Sequence, residues 1–140
     1  MNKNGEIIII EDDEDDRAIF SAILNELNYG NKIVFLNDAF DALDYLKQTS
    51  SRPFLILSDI NMPKMSGFEL RNKIFSDPDL KDKCIPYIFF TTSSSPASIM
   101  EAYQMSIQGY FQKADSYESY KKTLARIIDY WKESMTPAPN

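Results

Sequence analysis

The sequence predicts an α/β fold built on a parallel sheet, and two patterns carry that prediction. Short apolar or β-branched runs alternate with longer stretches of helical period, the signature of repeated βα units. Three of the runs also end in polar groups: Ile7 to Ile10 in the acids Glu11 to Asp16, Phe54 to Leu57 in Asp59, and Tyr87 to Phe90 in Thr91 and Thr92. In an open parallel sheet the carboxyl ends of the strands meet on one side, where ligands bind, so these groups belong to one site.

Five βα cycles fit the chain. Strand one covers about Glu6 to Ile10. Helix one follows from about Asp16, with Phe20, Ile23, Leu24 and Leu27 in an i, i+3, i+4 stripe, until Tyr29-Gly30-Asn31 breaks it. Lys32 to Leu36 is a weaker strand, expected near an edge. Helix two begins with Asn37 or Asp38 as N-cap and buries Phe40, Leu43 and Leu46. Strand three is Phe54 to Leu57; helix three follows the loop Ile60 to Gly67 and runs to about Phe75, where Ser76-Asp77-Pro78 stops it. Strand four is Tyr87 to Phe90, and helix four takes Pro96 into its first turn and reaches about Met105. Strand five is Gly109 to Gln112. Helix five carries Tyr117, Tyr120, Leu124, Ile127, Ile128 and Trp131 on one face as far as Met135, and residues 136 to 140 read as a frayed tail. No repeat or linker interrupts the pattern. Residues 1 to 140 therefore read as one domain, long enough to bury roughly two thirds of its unfolded surface.

Composition excludes several function classes. A net charge of −6 with 15 scattered basic residues argues against direct nucleic-acid binding, which needs clustered Lys and Arg. Cys84 is the one cysteine and cannot close an internal disulfide, which favours a reducing cytoplasm. No apolar run approaches the roughly 18 residues of a membrane span, so no membrane insertion is expected, and Met1 to Gly5 lack a signal-peptide pattern. Histidine is absent, which rules out a Ser-His-Asp triad, a His metal site and a His phosphoacceptor within the chain. Any histidine chemistry must come from a partner.

The strand-end residues point to phosphoryl chemistry. Glu11 and Asp12 directly end a buried strand, and close carboxylates repel unless a divalent cation or a basic side chain holds them ionised. Asp59, Thr91 and Lys113 arrive from strands three, four and five. Three carboxylates with a lysine and a hydroxyl suit a Mg²⁺ ion that shares phosphate oxygens with the protein. Glu14, Asp15 and Asp16 read instead as a solvated helix start, where acids complement the macrodipole, and Asp13 stands between the two readings. Pro63 and Gly67 read as turn formers, and Cys84 as a small hydrophobe.

At these residues the chain resembles the receiver domains of two-component response regulators, in the single-domain, chemotaxis-regulator-like group that carries Glu-Asp at the end of strand one. The matching pieces are Ile8 to Asp13, Leu55 to Gly67, Phe90 to Ser93 and Gly109 to Lys113. The resemblance implies a flavodoxin-like, doubly wound five-stranded parallel sheet of order 2-1-3-4-5 with five helices. It implies that Asp59 is the phosphoacceptor, that Glu11, Asp12, Asp59 and the backbone carbonyl of Asn61 arrange Mg²⁺, and that Thr91 and Lys113 contact phosphoryl oxygens. Thr91 and Tyr110 would couple the site to the face of helix four, strand five and helix five, where a downstream protein binds. The phosphoryl group would come from a histidine kinase or a phosphotransfer protein. Such a chain catalyses only its own phosphorylation and dephosphorylation and is not a conventional enzyme; no output domain is expected, and a homodimer is left open as a further form.

One position departs from the family. Ala114 follows Lys113 where the family usually has a proline, often after a cis bond. A non-proline cis bond costs about 3 kcal/mol, so this bond is either trans or held under strain. Two other classes compete with the receiver reading. A Mg²⁺-dependent aspartyl phosphatase would need a second Asp where Asn61 stands. A receiver-shaped binding module that is never phosphorylated would not need the full set of Glu11, Asp12, Asp59, Thr91 and Lys113.

Overall fold

A computed structural model of the chain describes residues 3–48 and 52–135. β1 (Ile7–Ile10), β2 (Ile33–Leu36), β3 (Leu55–Ser58), β4 (Tyr87–Thr91) and β5 (Gly109–Gln112) form one parallel sheet in the order β2-β1-β3-β4-β5. This is the flavodoxin-like order that the resemblance implies. Strands covered on both faces are apolar at successive positions instead of alternating, which accounts for the unbroken Ile-Ile-Ile-Ile of β1. β2 lies at an edge and is half-buried throughout, in keeping with its weaker sequence.

Helices cover both faces. Ile8, Ile10, Ile56, Tyr87 and Phe89 pack under α2 (Ala39–Gln48), α3 (Gly67–Ser76) and α4 (Pro96–Tyr103). Ile7, Ile9, Leu55, Leu57, Ile88 and Phe90 pack under α1 (Glu14–Leu27) and α5 (Tyr117–Glu133). The two cores clamp the sheet, and its carboxyl edge is left to the polar strand ends.

Several boundaries and faces differ from the sequence expectation. β3 lies one residue later than expected, at Leu55–Ser58. α1 begins at Glu14, not Asp16, because the Asp13 side chain caps it by accepting the Asp16 N–H at 3.0 Å. Phe40, expected in the core, is 48% exposed. Ala39, Ala42 and Leu46 are the residues of α2 that face the sheet, and Phe40, a 100° step from Ala39, lines a groove with Met65 and Pro78. α4 stops at Tyr103, short of Met105, because Ser106 turns left-handed at φ 58°. The buried Arg71 of α3 then donates to the carbonyls of Met105 at 3.1 Å and Ser106 at 2.9 Å, groups that no helical N–H reaches. α5 ends at Glu133, and Tyr117 is exposed instead of joining its core face. The Tyr117 hydroxyl donates to Glu26 of α1 at 2.7 Å on the surface. The expected tail, residues 136 to 140, lies outside the described residues.

Candidate functional site

The parallel ladder runs one residue past the strands and fixes the acids by their backbones. The Glu11 N–H donates to the Leu36 carbonyl at 3.0 Å, and the Asp59 N–H to the Ile10 carbonyl at 3.1 Å. The Lys113 N–H donates to the Thr91 carbonyl at 2.7 Å. Glu11 is 2% exposed and Asp59 8%, while Asp12 is exposed at the rim. One carboxylate oxygen from each of Glu11, Asp12 and Asp59 lies within 4.8 Å of the others. Three hard oxygen donors at this spacing fit a small divalent cation such as Mg²⁺ or Mn²⁺.

Lys113 ties the cluster together. Its Nζ lies 2.6 Å from Glu11 Oε1, 2.7 Å from Asp16 Oδ2 and 3.2 Å from Asp59 Oδ2, so each ammonium proton has a carboxylate. Burial alone would lower the pKa of Lys113. Hydrogen bonds to Asp16 and Glu11 and the charges of Asp59 and Glu11 outweigh burial and hold it well above the usual lysine range. Among the described residues the one cis bond precedes Pro86, so the Lys113–Ala114 bond is trans and the lysine reaches the acids without a proline behind it.

Glu11 is pushed up to about 7, mainly by burial and also by the charge of Asp59, against the opposing pull of Lys113. Between its ordinary 4.5 and about 7, the folded chain therefore holds a proton that the unfolded chain has shed. The contribution of this group to stability is full below 4.5 and declines as pH rises through 7. In chelator, the stability of the wild type minus that of Glu11→Gln is expected to fall between pH 5 and pH 8, as read from urea melts. A flat or rising difference contradicts the burial argument.

Asp59 is held at both ends of its carboxyl group. Oδ1 accepts the Ile60 N–H at 2.7 Å, which leaves Oδ2 toward Lys113. Gly67 contributes more than a turn. Its N–H donates to the Ile60 carbonyl at 2.7 Å, and a Cβ on it would stand 2.3 Å from the Asp59 carbonyl oxygen. Only a residue without a side chain fits behind the acid.

Thr91 and Tyr110 meet through a third residue. Thr91 is buried, and its Oγ1 accepts the Ser93 N–H at 3.3 Å, while the Tyr110 hydroxyl donates to the Ser93 carbonyl at 2.8 Å. The half-buried Tyr110 ring stands edge-on to Phe89 at 6.3 Å. Asn61 lies exposed in the loop after Asp59. Of the residues named from sequence, Glu11, Asp12, Asp59 and Lys113 come together, whereas Thr91 and Tyr110 bond to the neighbouring loop. Asp16, expected to be a solvated acid, is instead a partner of Lys113. Its position just after the N-cap was the available signal, because helical side chains lean toward the N-terminus and so back over the strand ends.

A family model for the response regulator receiver domain matches residues 7–125. The chain belongs to this family. The receiver is 30% identical over 135 residues to response regulator Rcp1 of Synechocystis sp., spanning 93% of this chain and 90% of that protein. Its backbone matches the crystal structure of the phosphorylated cyanobacterial phytochrome response regulator RcpA with a TM-score of 0.86 at 29% identity, over 95% of this chain and 98% of that one. The Mn²⁺-bound form of Rcp1 matches with a TM-score of 0.83 at 29% identity, over 95% of this chain and 99% of that one. This receiver is thus a component of two-component signalling, and its acidic cluster is of a kind that suits phosphorylation and a divalent metal. No helix among its described residues is long and apolar enough to cross a membrane.

Proposed function

We propose that this receiver takes a phosphoryl group onto Asp59 from a histidine kinase or a phosphotransfer protein and signals by a change in partner binding. The observation that carries the reading is the convergence of Glu11, Asp12 and the Lys113 ammonium on a buried Asp59 whose other oxygen is already fixed. Asp59 Oδ2 attacks phosphorus, and the new P–O bond forms as the P–N bond of the partner's phosphohistidine breaks, its electron pair returning to the imidazole nitrogen. A Mg²⁺ ion held by Glu11, Asp12, Asp59 and the backbone carbonyl of Asn61 supplies positive charge to the phosphoryl oxygens when bound. Lys113 places a second positive charge beside them, and the Ile60 N–H keeps the attacking carboxylate aimed.

The Thr91 hydroxyl turns toward a phosphoryl oxygen. Its bond with the Ser93 N–H is given up, and the loop that also accepts the Tyr110 hydroxyl shifts with it. Readout falls to the face of α4, β5 and α5, where the exposed Met100, Tyr103 and Tyr130 offer contact area to a downstream protein or a second copy of the chain. We take residues 1–140 as one receiver unit working in the cytoplasm, a reading supported by the shared sheet and the free, buried Cys84. Its reactions are its own phosphorylation and dephosphorylation.

Acetyl phosphate tests the reading without a kinase. With Mg²⁺ the intact chain is expected to gain the mass of one phosphoryl group, and with excess chelator none. Equal incorporation in chelator would remove the metal from the reading.

A further inference from the structure

We propose that Asp16 positions Lys113 for phosphoryl transfer, an inference that deepens the reading of Asp59 as phosphoacceptor and rests on it. Lys113 Nζ commits its protons to Glu11 Oε1 at 2.6 Å, Asp16 Oδ2 at 2.7 Å and Asp59 Oδ2 at 3.2 Å. The three partners are not equivalent. Glu11 and Asp59 belong to the group of carboxylates whose oxygens lie within 4.8 Å of one another, and Asp16 stands outside it. Asp59 Oδ2 is also the oxygen that bonds to phosphorus. Both Glu11 and Asp59 therefore have another duty once a cation and a phosphoryl group arrive. Asp16 has none, and its bond to Lys113 persists through the reaction.

The placement of Asp16 suits an anchor. Its backbone N–H is bound by the Asp13 cap at 3.0 Å, so the first turn of α1 holds it in place. Its side chain is 23% exposed, against 7% for Lys113, and lies at the outer edge of the cluster. A lysine stem is long and flexible, and a second fixed charge is what confines its ammonium to one position. Without Asp16 the ammonium is drawn onto Glu11 and Asp59, the oxygens that the reaction needs. In the transfer from acetyl phosphate, the Asp59 Oδ2–P bond forms as the donor's P–O bond breaks and acetate leaves with the electron pair. Lys113 has to stand beside the remaining phosphoryl oxygens during that step. Asp16 touches none of the reacting atoms; it is a positioning residue that acts through Lys113.

The test uses Asp16→Asn and Asp16→Glu in the full chain, with Asp16→Asn repeated in a Lys113→Met background, under acetyl phosphate and saturating Mg²⁺. Asp16→Asn is expected to slow phosphorylation roughly tenfold, and Asp16→Glu to recover the rate to within about threefold. In the Lys113→Met background, Asp16→Asn is expected to change the rate by less than about twofold, because its route of action is gone. A second readout does not depend on the reaction: the ¹H–¹⁵N signal of the Lys113 ammonium, visible when its protons exchange slowly with water. That signal is expected in the wild type and in Asp16→Glu and is lost in Asp16→Asn. The proposal is overturned by an unchanged rate in Asp16→Asn, by an equal loss without Lys113, or by an ammonium signal indifferent to Asp16. If the wild type takes up no phosphate, the phosphoacceptor reading fails, and the ammonium signal alone decides whether Asp16 holds Lys113.

Discussion

Asp59→Asn is expected to take up no phosphoryl group from acetyl phosphate in the presence of Mg²⁺, while the wild type is modified. The amide is a poor nucleophile, and it withdraws one of the three charges that would draw a cation into the cluster. Loss of folding is not the expected cause. Asp59 raises the pKa of Glu11 through its charge, so its removal relieves a like-charge contact in the metal-free chain. Intact-mass measurement gives the incorporation and a thermal melt gives the fold. Incorporation equal to that of the wild type would move the acceptor to another residue.

Lys113→Met has the second large effect, and it appears in two measurements. Removal of the ammonium leaves Glu11 and Asp59, both nearly fully buried, without their common positive partner. Breaking one side of such a buried arrangement costs about 3 kcal/mol, or roughly 10 °C in melting temperature for a chain of this size. Because Lys113 lowers the pKa of Glu11, the Glu11 of the variant should titrate higher than that of the wild type, and the loss should be clearest in chelator above pH 7, where the wild-type Glu11 is ionised and paired with Lys113. Phosphorylation is expected to slow by about a hundredfold or more, the usual scale for removing one placed charge from developing phosphoryl oxygens. A variant that melts and reacts like the wild type would make Lys113 a bystander.

Much of the fold and the site was legible in the residues, and the gaps have physical causes. The strands were legible because parallel strands buried on both faces are continuous apolar runs, and each was followed by a helical stripe or a turn signal. The convergence of Glu11 and Asp59 was legible because each directly follows a buried strand, where a charged side chain is held close to the core and needs a partner; Lys113 follows the edge strand β5 and joins them through the strand order that the resemblance implies. The part of Asp16 was legible only in direction: the lean of its side chain toward the strand ends was a signal, but an acid in the first turn of a helix ordinarily complements the macrodipole, and the fold alone brings Lys113 to it. Gly67 read as a turn residue because sequence does not reveal that the Asp59 carbonyl passes 2.3 Å from where its Cβ would be. Hydrophobicity placed Phe40 and Tyr117 in the core, but Phe40 lies off the buried stripe of α2, and Tyr117, in line with Leu124 and Ile128 around α5, is exposed because it stands at the first residue of that helix.

The sharpest check is to map the modified side chain in the wild type. After reaction with acetyl phosphate and Mg²⁺, borohydride reduces an aspartyl phosphate to homoserine, and peptide sequencing by mass spectrometry locates it. Homoserine at position 59 and at no other acid is the expected product, with none formed in chelator. Homoserine at Asp12, Asp13 or Asp16, or a chain left unmodified, would contradict the claim that Glu11, Asp12 and Lys113 converge to make Asp59 the phosphoacceptor.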